Sequence, residues 1–248
     1  MKSFEFSKGL NIKAKPYEGE VVSGEEISNE YHGDAADVTR LDYRFGKHQR
    51  TFVLKDYEQS PWPEPRERDS KSEVLKSIEM WKAVRDAGLP TFTTYRAEKD
   101  GTSILMNDLR TEKTSALSVT HSPQEWYDGE REDKNRIKKI SNFPQLIDDL
   151  NKCSHLAASH DFSLEPDAYF FLVTVVEDGE YEIHPFVGDF EGMSFFNQNA
   201  NFNVEEQSKE EYNKVYAKST LKSFIETFMQ PEYAKEYVEQ LEASAAFR

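Results

Sequence analysis

The chain of 248 residues is short of cysteine, glycine motifs, basic charge and long apolar runs. Its one cysteine, Cys153, cannot close an intrachain disulfide or build a thiolate metal cluster. No stretch approaches the roughly 18 apolar residues that span a bilayer, and the start, MKSFEFSKGLNIKAKPYEGE, lacks the apolar core of a secretory leader. A soluble cytoplasmic protein with no membrane partner is the expectation. Lys and Arg number 31 against 46 Asp and Glu, a formal net charge of -15. Phosphate-backbone binders carry the opposite balance, so nucleic acid is not an expected partner. A cationic small molecule or a basic protein surface suits this field better. G-x-G occurs nowhere, so neither a glycine-rich phosphate loop nor a dinucleotide fingerprint can be assigned. A P-loop, a G-x-S-x-G elbow and an H-E-x-x-H zinc site are also missing, and the six histidines are dispersed.

Aromatic residues are plentiful, with 17 Phe, 12 Tyr and 3 Trp, enough to fill a substantial core. Alternation predicts strands over 36–45 and 50–57, joined by a turn at Gly46-Lys47-His48. A proline-rich approach, 60–69, leads to a helix from Lys71 to Asp86. Its apolar residues Val74, Leu75, Ile78, Trp81 and Val84 recur at helical spacing until Gly88-Leu89-Pro90 ends it. Residues 91–109 read as a hairpin turning at Asp100-Gly101. The stretch 110–141 is polar, with the charged segment DGEREDKNRIKK exposed. A helix follows from Pro144 to Ala158, burying Cys153 as an inert thiol. A hairpin over 170–190 turns at Glu177-Asp178-Gly179, and helices fill 206–245 with a break at Gln230-Pro231. Their stripes, Tyr212, Tyr216, Phe224, Phe228 and then Tyr233, Tyr237, Leu241, are packing faces. The fold class is α+β: a β-rich N-terminal lobe over 1–109 and a mainly helical C-terminal lobe over 110–248.

The order is strand, strand with an internal lysine, helix with a glutamate, strand pair, link, helical region, and a hairpin ending in Gly188-Asp189-Phe190. It resembles the two-lobed protein-kinase-like fold, nearest to the small kinases of the aminoglycoside phosphotransferase and choline kinase type, over residues 35–195. That resemblance implies ATP and magnesium as cofactors. It assigns Lys55, in Val53-Leu54-Lys55, to the nucleotide phosphates and Glu73 to an ion pair orienting that lysine. Ile104–Leu109, including Met106, looks like the adenine-binding hinge, and Asp189 like the magnesium-binding acid. Ile183-His184-Pro185-Phe186 is a rival alignment that puts a histidine in place of Asp189.

In such kinases the catalytic segment carries an acid, then leucine, proline and a metal-binding asparagine. Laid over 155–172 without a gap, Leu164 and Pro166 agree, while Ser163 stands for the catalytic aspartate and Ala168 for the asparagine. A serine hydroxyl is no general base near neutrality, and alanine offers magnesium no oxygen. A shifted register instead uses His160-Asp161 as the histidine and acid, or Asp167 as a magnesium ligand. The plain structural reading of His160-Asp161 is a polar loop capping the preceding helix. For the glycine-loop position only Ser23-Gly24 or Ser28-Asn29 is at hand, where Glu25, Glu26 and Glu30 repel a triphosphate. The resemblance thus implies an impaired, pseudokinase-like module that binds a protein partner or cationic small molecule, with an active small-molecule phosphotransferase as the alternative.

Overall fold

The structure, a computed structural model, describes residues 20–26, 37–45, 48–58, 69–98, 101–119, 137–191 and 193–247. The expected turns at Gly46-Lys47 and Asp100, the site candidate Ser28-Asn29 and most of the charged segment after Asp128 lie outside them. The described residues fall into two compact units. One lies within Ser7–Lys82 and Thr91–Asp108, the other within Ala83–Pro90 and Leu109–Arg248.

The N-terminal unit is built on an antiparallel sheet of β1 (Glu20–Glu26), β2 (Asp37–Phe45), β3 (His48–Asp56), β4 (Tyr95–Glu98) and β5 (Ser103–Asn107), in the order β1-β2-β3-β5-β4. Register fixes its two faces, because cross-strand partners and residues two apart share a side. Phe52, Leu54 and Leu105 form a buried cluster on one face, with Leu41 and Tyr43 packed on it. Val38, Val53, Lys55, Ile104, Met106 and Tyr95 share the other. Helix α1 (Ser70–Asp86) lies against this second face: Trp81 stacks on Tyr95 at 5.7 Å and its indole N–H donates to Phe92 O at 2.8 Å.

The inward stripe of α1 is Val74, Ser77, Met80, Trp81 and Val84. Leu75, expected in the stripe, is 67% exposed, and Ser77 takes the buried turn below Val74. Gly88 ends the helix at φ +79°. Its N–H donates to Arg85 O and that of Leu89 to Val84 O, a closure that needs a left-handed residue and therefore favours glycine.

The second unit pairs β6 (Thr114–Leu117), β8 (Tyr169–Glu177), β9 (Glu180–Val187) and β7 (Lys139–Ile140), in the order β6-β8-β9-β7, with β7 parallel to β9. Helices α2 (Phe143–Ser159), α3 (Lys209–Phe228) and α4 (Pro231–Ala243) complete it. Leu146, Leu150, Cys153, Phe171, Ile183, Phe224 and Phe228 are fully buried, and the Phe171 and Phe224 rings meet at 4.5 Å. Burial pushes the Cys153 thiol far above its usual range, so it is inert as read from the sequence. Of the stripe Tyr233, Tyr237 and Leu241, Tyr233 is instead exposed and its neighbour Ala234 is buried, while Tyr237 packs as expected, its hydroxyl accepting from Ile140 N and its ring meeting Phe143 edge-on. Among the described residues no helix is long and apolar enough to cross a membrane.

Strand, strand with Lys55, helix with Glu73, strand pair, link, helix, hairpin and Gly188-Asp189-Phe190 follow one another in the order read from the sequence. The chain has an α+β fold with a β-rich N-terminal unit and a mainly helical C-terminal one.

Candidate functional site

Lys55 is half-buried on β3, with its ammonium 5.4 Å from the centre of the Tyr57 ring. Glu73 sits in the first turn of α1. It makes no ion pair with Lys55 among the described residues. Met106 is buried in β5 between Val53 and Tyr95. The strand runs through Asn107, so irregular chain begins only at Asp108, two residues beyond Met106. Two contacts hold that exit. Asn107 Oδ1 accepts from the N–H groups of Thr93 (3.1 Å) and Thr94 (3.2 Å), and Asp108 pairs with Arg40 at 3.0 Å. Ser23-Gly24, offered for the phosphate turn, lies inside β1 opposite Asp42 and Leu41. Paired strand backbone has no N–H groups left to cradle a phosphate on that side.

In the C-terminal unit the catalytic-loop candidates follow α2. His155 is on the helix, its Nδ1 3.0 Å from Glu210. His160 is the C-cap, its ring nitrogen 2.9 Å from Leu156 O, the capping role read for it above. Asp161 adopts φ +69°, a left-handed region that Asp tolerates. Its carboxylate pairs with Lys209 at the start of α3. Ser163 is fully buried, donating its N–H (2.9 Å) and Oγ (3.2 Å) to Ser194 O. Ala168 is also fully buried; it closes the 3₁₀ turn Pro166–Ala168, and its carbonyl accepts from Gly188 N.

That last bond brings the two acidic candidates close. Asp189 follows β9, its Oδ1 accepting from Glu191 N. Asp167, on the 3₁₀ turn, feels the charge of Asp189 and of Glu165. Burial first, then these two carboxylates, push its pKa up to about 6. Asp167 Oδ1 is buried with no hydrogen-bond partner among the described residues. Two carboxylates, one with an unbonded oxygen, suit magnesium, which takes one or two protein carboxylates and leaves its other positions to water and phosphate. No group of three or more metal-ligating side chains occurs among the described residues. His184, the rival to Asp189, is buried within β9 with its Nε2 3.2 Å from Glu182.

Sequence reasoning missed the polar groups that grip this loop from α3. Asn213, fully buried, accepts from Leu164 N (2.8 Å) and donates to Phe162 O (3.2 Å) and Ser154 O (3.4 Å). Tyr212, read only as packing, donates its hydroxyl to Glu165 at 3.3 Å. Asn199 donates to both Glu165 and the Tyr212 hydroxyl. An asparagine inside an apolar helix stripe was the available signal, since a buried amide demands partners.

No family model matches the chain, and no curated protein matches it. Among solved structures it is similar to the Rio2 kinase from Chaetomium thermophilum, at 14% identity and a TM-score of 0.48 over 93% of this chain; it spans 65% of that one. It is also similar to the Helicobacter pylori proinflammatory kinase CtkA, at 12% identity and a TM-score of 0.39, covering 84% of this chain and 86% of that one.

Proposed function

We propose that the chain is a kinase-like binding or regulatory module that keeps the means to bind ATP with magnesium and transfers phosphate poorly. Asp167 and Asp189 would hold the cation; Lys55 would meet the nucleotide phosphates, Glu73 would orient it when the pair closes, and the backbone at Met106 would meet the base. The observation that carries the reading is Ser163. On the gap-free register it stands where the proton-accepting acid belongs, and it is fully buried with its hydroxyl committed to Ser194 O. A neutral, occupied hydroxyl cannot take a proton from an attacking group. The net charge of -15 favours a basic protein surface or a cationic small molecule as partner. A reducing cytoplasm, where a single buried thiol stays reduced, fits the cysteine content.

A second reading has its own support: an ATP- and magnesium-dependent phosphotransferase of the aminoglycoside phosphotransferase or choline kinase type. Asp161 is half-exposed on the loop, and Asp167, with a pKa of about 6, is poised close to neutrality as a base must be. Calorimetry with ATP and magnesium, followed by an ADP-release assay over amino-sugar, choline-like and basic protein substrates, separates the two. The binding-module reading expects nucleotide binding with turnover at least about 100-fold below the 1–100 per second of ordinary kinases. Substrate-dependent ADP release above about 1 per second, lost in Lys55→Ala or Asp189→Ala, would establish the phosphotransferase instead.

A further inference from the structure

Segment 160–168 carries Asp161, Ser163 and Asp167, yet little of its backbone is held by regular secondary structure. The amides of His160, Asp161 and Phe162 close onto the last turn of α2, and that of Ser163 reaches Ser194 O. Asp161 O accepts from Phe196 N in an isolated bridge between Phe162 and Phe195, and beyond that bridge the backbone groups of Phe162 O and Leu164 N depend on a side chain. Leu164 N–H and Phe162 C=O both end on the amide of Asn213, and Phe162, Ser163, Leu164 and Asn213 are all fully buried. Water cannot replace that amide, because a buried N–H or C=O without a partner is destabilised by its full desolvation. The neighbouring Tyr212 holds the next residue, Glu165, by its carboxylate. One turn of α3 therefore grips the segment twice, on its backbone and on a side chain, just before the 3₁₀ turn that presents Asp167.

We propose that Asn213 is a positioning residue: by fixing the backbone at Phe162–Leu164 it sets the 3₁₀ turn and keeps Asp167 beside Asp189. The inference deepens the metal–nucleotide reading above and rests on it for its functional meaning. Asn213 touches no reacting group. Its role is geometric, and it predicts that loosening the amide clamp moves Asp167 while the helices stay folded.

The test compares Asn213→Ala with Thr220→Ala on the full chain. Thr220 is buried two turns further along α3, and its hydroxyl bonds only Tyr216 O of the same helix, so its loss weakens α3 without touching the loop. Amide hydrogen exchange and Mn²⁺ binding by electron paramagnetic resonance are measured on both. In Asn213→Ala, exchange at residues 162–168 should accelerate about 10- to 100-fold relative to the amides of β8 and β9. Mn²⁺ affinity should fall about tenfold or more, as for other residues that orient metal ligands. Thr220→Ala should do neither at matched stability. Should Asn213→Ala fail to fold, Asn213→Asp carries the comparison, since it keeps an acceptor for Leu164 N–H and loses both donors. Exchange that rises in step with the core, or unchanged Mn²⁺ affinity despite local opening, overturns the proposal. If the unaltered chain binds no Mn²⁺, the metal reading falls alone, and exchange at 162–168 decides whether Asn213 positions the turn.

Discussion

A carboxyl group that is half-buried beside two others titrates where a surface aspartate does not, and Asp167 has that setting. Its folded-state pKa, about 6, lies above the roughly 3.9 of an unfolded chain, so between these values the folded protein binds the extra proton. Stability therefore falls as pH rises from about 4 through 6 on account of this group, and the ionised form is the unfavourable one at neutrality. Asp167→Asn should stabilise the protein by about 1–3 kcal/mol at pH 7 and change little at pH 4, read by urea denaturation at both. An equal effect at both would mean that Asp167 acts by packing alone. The acid itself was visible in the sequence as one member of a shifted register. Its burial was not, because that depends on Ala168 bonding Gly188, 20 positions on, and on Asn213 reaching back 49 positions to Leu164.

Elements with strong local signals were legible. Helix α3 starts at Ser208, whose Oγ accepts from Glu211 N while Glu211 returns a bond to Ser208 N. Ser208→Ala should lower stability by about 1 kcal/mol in a chemical melt. The Gly88-Leu89-Pro90 stop on α1 and the hairpin of β8 and β9 were equally plain, since glycine and alternation leave few other conformations. Short strands were not. β6 is four residues of T-S-A-L and β7 only two, both lying in what reads as a polar stretch; each exists because a long neighbour, β8 or β9, offers it a partner. The exit of β5 is a similar case, since the Asn107 amide does its work 13 and 14 positions away. Asn107→Ala strands two backbone donors, and a loss of about 1–3 kcal/mol is expected, with amide exchange at Thr93 and Thr94 rising more than elsewhere in the sheet. Unchanged protection at those amides would show that water replaces the side chain.

At the scale of the molecule, the net charge of -15 makes the compact state repel itself. Raising salt from about 0.01 to 0.15 M shortens the screening length from about 30 to 8 Å, so the midpoint of thermal unfolding should rise by a few degrees. A falling midpoint would mean that surface pairs such as Lys139–Glu180 and Lys218–Glu242 outweigh the overall repulsion. The way Trp81 is held has an optical consequence. Its indole is buried, stacked on Tyr95 and tied by its N–H to Phe92 O, all within the unit that bears Lys55. Trp62 and Trp126 lie outside the described residues. With both replaced by phenylalanine, the chain would keep one indole, selectively excitable beyond the tyrosine absorption, in a tyrosine-flanked niche. Its emission colour, anisotropy and near-ultraviolet dichroism would then report the state of the lysine-bearing sheet directly, with no dye attached and without waiting for a substrate to be found.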